Sequence, residues 1–262
     1  MPFSVYNKRS VEALWFFVVF YVTFGIFLTV VQEWVVYQPA TREFAQCADL
    51  SRTEKIPHEG TRMYFKDNGP RVVVLYHGNF GSACDRAFLA ELFEQAGYSY
   101  LLPEYAGYSN DTVSPTHTLL KKDVEHTVDF LRTKNFSEVV VVGESIGVGF
   151  AAYHTALLPP QKLLLFSSFK NLSSIARVHY WYYPVSLLVK DPFDNVALIG
   201  NFQGEILALH GEQDDIIPLA LGQKFFTELD APHKEMVVIP GLGHNDLFAS
   251  PDMYQVVRGF LK

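Results

Sequence analysis

The chain of 262 residues carries 21 Lys and Arg against 28 Asp and Glu, a formal charge of −7, and is 49% hydrophobic and 19% charged. That balance excludes an intrinsically disordered or low-complexity chain and argues against a nucleic-acid binder, which carries a basic face. Two cysteines, Cys47 and Cys84, are too few for a disulfide framework or a Cys-rich zinc site. Spacing leaves a single disulfide between them open.

The apolar excess is concentrated near the N-terminus. Between Glu12 and Glu33 the twenty residues Ala13–Gln32 carry no charge, the length a helix needs to cross a hydrocarbon layer about 30 Å thick. Trp15, Tyr21, Trp34 and Tyr37 add aromatic residues, those at the ends suited to an interface belt. The run exceeds the apolar core of a signal peptide, roughly 7–15 residues, and Glu33-Trp34-Val35-Val36 behind it is no small-x-small cleavage site. A retained signal anchor over about 13–32, within an N-terminal segment 1–35, is therefore expected. Lys8 and Arg9 precede the run and the first basic residue after it is Arg42. The positive-inside tendency then puts the N-terminus in the cytoplasm and the rest of the chain outside.

Residues 36–262 read as one domain without repeat, charge block or Ser/Gly linker. After a polar stretch, Thr41 to Gly60, apolar β-branched runs alternate with helical patterns. Arg71–His77 is a continuous apolar run of the kind buried on both faces in a parallel sheet. A helix is expected over Ala87–Ala96, a strand over Tyr98–Leu102 and a helix over Leu119–Thr133. A strand over Glu138–Val142 leads into a small-residue helix, Ser145–Leu158, stopped by Pro159-Pro160. Lys162–Phe166, Glu205–Leu209 and Glu235–Ile239 are further strands, and a helix over Pro251–Leu261 closes the chain. Strands separated by helices at this spacing imply an α/β fold, a mainly parallel sheet with helices on both faces. In such sheets chemistry sits at the carboxyl ends of the strands.

One of those ends is Gly143-Glu144-Ser145-Ile146-Gly147, a G-x-S-x-G nucleophile elbow placed after four valines and before a helix. A sharp strand-to-helix turn needs small residues on either side of the serine, and Gly143 and Gly147 provide them. The hydroxyl then stands over the first turn of a helix, whose free N–H groups favour developing negative charge. A serine needs a base to take its proton. Of nine histidines, His244 lies in the loop after the last strand, where it can reach across the strand ends; His126 and His154 read as surface or packing residues and His77 as a structural hydrogen-bonding group. The base needs a carboxylate to hold its tautomer, and Asp214 or Asp215, after the strand that ends in His210-Gly211, can serve. For the oxyanion hole, one N–H comes from Ile146. The other comes from the turn after the first buried strand, Asn79 first and Phe80 as the alternative. No motif implies a metal or an organic cofactor.

Ser, Asp and His in that chain order, with His77-Gly78 ahead of the first helix of the sheet region, resemble the α/β-hydrolase superfamily over about residues 62–261. Within it, His77-Gly78-Asn79, Glu104–Ser109, the elbow, His210–Pro218 and Gly243–Leu247 are similar to a branch of small, often membrane-anchored hydrolases. That branch includes protein depalmitoylases and domains like serine aminopeptidases and prolyl oligopeptidases. The family pattern His-Gly-x-x-Asp implies Asp214 as the acid. Glu104 and Ala106 depart from it, since the branch usually has Asp and Arg there, so no ionic contact of that Arg carries over. The superfamily places its lid over residues 167–204 here, too short for a cap domain. The aromatic cluster Tyr180–Tyr183 in it suits an acyl pocket, contact with lipid, or plain packing. The resemblance thus implies an α/β-hydrolase fold behind one transmembrane helix. The implied enzyme is a serine hydrolase of an ester or thioester, with Ser145, Asp214 and His244 as triad, an acylated small molecule as substrate and the bilayer as partner. A peptide bond is the second choice of substrate. A non-catalytic binding protein of the same fold is the rival, its usual signature a missing triad member.

Overall fold

The computed structural model describes residues 8–190 and 193–262; residues 1–7 of the expected N-terminal segment and 191–192 of the expected lid lie outside the described residues. The apolar runs form one eight-stranded sheet: β1 Glu54–His58, β2 Thr61–Lys66, β3 Arg71–Tyr76, β4 Ser99–Glu104, β5 Glu138–Glu144, β6 Lys162–Phe166, β7 Glu205–Gly211 and β8 His233–Ile239. Their spatial order is β8-β7-β6-β5-β3-β4-β2-β1. Every neighbouring pair is parallel except β1 with β2 and β2 with β4.

Alternation of side chains across the pleat explains why the central strands are apolar at consecutive positions. Val72, Val74 and Tyr76 of β3 join Val141, Leu163 and Ile206 in the core on one face. Val73 and Leu75 join Val140, Val142, Leu164 and Leu207 on the other. Each face is covered by helices. In chain order the helices are α1 Lys8–Val36, α2 Ala87–Gln95, α3 His117–Arg132, α4 Gly147–Leu157, α5 Leu172–His179, α6 Val185–Leu188, α7 Asn195–Ile199, α8 Leu219–Glu228 and α9 Pro251–Phe260, of which α1 packs on α6. The short helices α5, α6 and α7 form an insert between β6 and β7.

Several elements differ from the sequence expectation, each for a reason of partnership. The polar stretch before residue 60 holds β1, which makes an antiparallel hairpin with β2. Its turn is Glu59-Gly60, both at positive φ (51° and 95°), the geometry that matches strand twist in two-residue hairpins. Because β2 pairs with β4 from Arg62↔Glu104 to Lys66↔Tyr100, β4 runs on through Pro103 to Glu104. β6 likewise carries β5 through Gly143 and Glu144. The helix after the elbow starts at Gly147, not at Ser145, because Ser145 itself sits at φ 53°. α8 was not anticipated.

α1 has 29 residues, about 44 Å of helix, and is long and apolar enough to cross a membrane. Most of its side chains face outward; Trp15 is 64% exposed and Val30 75%. It touches the insert along one side, where the Tyr21 and Tyr183 rings stack at 4.5 Å. Gly25 is the buried position of α1, and a Cβ there would lie 3.1 Å from the Tyr183 ring. The open question of the cysteines is answered by a disulfide, Cys47–Cys84.

Candidate active site

β5 delivers Ser145 into the left-handed region by way of a crossing that tolerates no side chain on either flank. A Cβ on Gly147 would come within 2.1 Å of the Tyr76 carbonyl oxygen of β3, and one on Gly143 within 2.8 Å of Val148 and Ala151. The Ser145 N–H donates to Phe166 O at 2.9 Å, and Ser145 O accepts from Val148 N at 2.9 Å, so the turn is held from both sides. A serine at φ 53° is the kind of uncommon backbone that persists only when its surroundings enforce it.

The loop after β8 brings His244 to that serine, with Nε2 3.1 Å from Ser145 Oγ. On the far side of the ring, Nδ1 lies 2.7 Å from Asp214 Oδ2. Asp214 is buried while Asp215 is exposed. Asp214 Oδ1 accepts from the N–H groups of Ile216 (3.1 Å) and Ile217 (2.7 Å), and Oδ2 from Ser167 Oγ (2.9 Å). Burial alone would raise this carboxyl. The hydrogen bond and charge of His244, the Ile217 N–H and Ser167 outweigh it and hold Asp214 below its ordinary value. His210, at the end of β7, fixes the same loop by a 2.8 Å contact of Nε2 with Ile217 O.

The turn after β3 is pinned at nearly every residue. Tyr105 Oη donates to His77 O at 2.9 Å, and Asn79 O accepts from Tyr108 Oη at 2.8 Å and Gln38 N at 3.2 Å. Phe80 and Gly81 pair as a two-residue parallel strand with Gln38 and Pro39. His77 is fully buried, its Nδ1 2.9 Å from Gly78 O and its Nε2 3.3 Å from Glu104. Glu104 also accepts from Ala83 N and Ser109 Oγ, so its carboxylate is occupied by these groups and His77. His154 packs in the core against Tyr76 Oη, and His126 binds Thr61 Oγ1.

Sequence reasoning missed Arg86. Its guanidinium makes a two-pronged pair with Glu144 of the elbow, both contacts 2.6 Å, and Nη2 also reaches Phe80 O at 3.4 Å. One side chain thus ties the elbow to the turn that carries Asn79. A Cβ on Gly78 would sit 2.9 Å from Glu144 Oε1, so a larger residue there would displace the carboxylate that Arg86 holds. A carboxylate at the end of a buried valine run is a signal that a cation must be near; which cation is not legible from spacing. Ser167 was missed for the same reason.

No protein-family model matches the chain. It is 32% identical over 199 residues to an uncharacterized protein of Mycobacterium tuberculosis strain H37Rv, an alignment covering 74% of this chain and 70% of the relative. To the lysophosphatidylserine lipase ABHD12 of Xenopus tropicalis it is 28% identical over 228 residues, 72% of this chain but only 57% of the lipase. Among solved structures, the esterase Pf2001 of Pyrococcus furiosus superposes with a TM-score of 0.68 at 18% identity, over 86% of this chain and 98% of that one. Est1E of Butyrivibrio proteoclasticus gives 0.62 at 15%, over 80% and 95%. The chain belongs to the α/β-hydrolase superfamily. Its relatives there include esterases and lipases.

Proposed function

We propose that this protein is a membrane-anchored serine hydrolase that cleaves an acyl ester or thioester, with Ser145 as nucleophile, His244 as base and Asp214 as the group that orients it. The observation that carries the reading is the continuous relay of Asp214, His244 and Ser145, with spacings of 2.7 and 3.1 Å. With the ring proton on Nδ1 and hydrogen-bonded to Asp214, Nε2 keeps the lone pair that accepts the Ser145 proton. Oγ adds to the acyl carbon, and the carbonyl oxygen becomes the oxyanion, which the N–H groups of Asn79 and Ile146 hold. Collapse of the adduct expels the alcohol or thiol, which takes the proton from Nε2. Water, deprotonated by His244, then releases the acid and restores Ser145. The lipase relative favours an acyl ester over a peptide bond, and no metal or cofactor enters these steps. The filled triad speaks against a non-catalytic member of the fold.

Residues 167–204 are the lid of this site, 13–32 the anchor and 36–262 the hydrolase domain. The Cys47–Cys84 disulfide, of a kind that persists in oxidising compartments, supports placing the domain on the non-cytoplasmic side. A fluorophosphonate probe tests the chemistry: wild type is expected to label, and Ser145→Ala to lose all labelling. Folded wild type that does not label, or labelling that survives the substitution, overturns the reading.

A further inference from the structure

Two cavities lie along the seam between α1 and the lid, and a third lies behind them between the lid and α4. The outermost, about 190 Å³, is bounded by Leu28, Thr29 and Val36 of α1 and by Ile175, Ala176 and Tyr183 of the lid. A second of about 410 Å³ opens beside it at Gln32, Glu33 and Lys190, polar groups at the end of the uncharged run of α1. The innermost, about 10 Å³, is walled by Ile146, Gly149, Phe150 and Phe193. Ser145 borders none of the three, but its neighbour Ile146 borders the last, and Leu172 borders all of them. His117 borders the inner two; burial, then the charge of Lys121, pushes it down to about 4, so it adds no charge at neutral pH.

The depth of the seam follows from α1. Tyr183 closes on Gly25 and stacks on Tyr21, and Gly25 is seven residues, about 10 Å of helix rise, further into the uncharged run than Gln32. With α1 across a bilayer, the lid tip therefore lies below the polar boundary. Its outward side chains fit that place: Trp181 is 77% exposed and Leu187 83%, an apolar surface continuous with that of α1 and of the kind that marks membrane contact.

We propose that the lid is immersed in the leaflet it faces, and that the seam between the lid and α1 takes the acyl chain of a lipid of that leaflet, passing it laterally past Leu172 to Ser145. The anchor is then one wall of the substrate site as well as a tether. The proposal rests on the hydrolase reading of Ser145. It is tested with the full chain in phosphatidylcholine vesicles, by the ratio of kcat/KM for p-nitrophenyl palmitate to that for p-nitrophenyl acetate. Ala176→Trp, which fills the outer cavity, is expected to lower the ratio at least about tenfold, the loss of roughly two buried methylenes. Leu172→Ala, which trims the side chain bordering all three cavities, is expected to raise it. A ratio within twofold of wild type in both variants, or moving the same way in both, overturns the groove.

Immersion has its own readout, independent of catalysis. The chain has three tryptophans, and Trp15→Phe with Trp34→Phe leaves Trp181 as the reporter. Its fluorescence is expected to be quenched by lipids brominated in mid-chain and shielded from iodide; the reverse pattern overturns immersion. Fluorophosphonate labelling separates the two readings. Labelled variants with an unmoved ratio sink the groove alone, whereas unlabelled wild type sinks the hydrolase on which it rests.

Discussion

Arg86 and Glu144 stand 58 positions apart in the chain and meet through two contacts of 2.6 Å, with only 16% and 9% of their side chains exposed. A buried charge that loses its partner costs about 3–5 kcal/mol, so Arg86→Met is expected to destabilise the protein by at least about 3 kcal/mol. Adding Glu144→Gln should recover more than half of that. Chemical denaturation of the two single variants and the double variant measures the coupling; additive losses would show that the pair acts separately. Asp214 makes a different residue-scale prediction. In Asp214→Asn the amide can still accept from the Ile216 and Ile217 N–H groups, but it presents N–H to the imidazole and favours the wrong tautomer. The turnover of a soluble ester should fall by about 10⁴-fold with little loss of fold, and a fall under tenfold would remove Asp214 from the relay.

At the scale of elements, α3 is joined to the sheet by Asp123, which accepts from Thr61 Oγ1 of β2 at 2.6 Å and from Ala106 N after β4 at 2.7 Å. Burial raises this carboxyl from 3.8 to about 6, although those two hydrogen bonds pull it back. Between those values the folded protein keeps a proton that the unfolded chain has released. Stability from this group is therefore complete below about pH 4, declines as pH rises through 6, and is flat above it. Relative to Asp123→Asn, the wild type should lose on the order of 3 kcal/mol across that window. Unfolding midpoints of both proteins from pH 4 to 7 check the sign; parallel curves would contradict it. The elements most legible in the sequence were the central strands, because a strand buried on both faces needs no knowledge of its neighbours to look apolar. The β1–β2 hairpin was not, since its edge strand is half exposed and contains Pro57.

For the whole molecule, the disulfide joins the segment behind α1 to the turn that carries Arg86, closing 37 residues of separation. The chain-entropy account assigns about 4 kcal/mol to a closed loop of this length. Cys47→Ser with Cys84→Ser should therefore lower stability by about that amount and should make it insensitive to reductant, where wild type is sensitive. Equal stability with and without reductant in the wild type would show that the bridge contributes little. The bridge thus fastens the segment behind α1 to the stretch just after Phe80 and Gly81, which already pair with Gln38 and Pro39.

The order of apolar runs, the glycines around Ser145 and the position of His244 after the last strand were sufficient by themselves to define the fold class and to nominate the relay. Local chemistry dictates those features, since burial, turn geometry and strand ends are written in consecutive residues. Spacing left Asp214 and Asp215 open and the family pattern implied Asp214, but that Arg86 clamps the elbow emerged only with the tertiary structure. So did the apposition of α1 to the insert between β6 and β7. Those depend on side chains tens of residues apart being desolvated together, and the energy of such a meeting resides in the space between segments.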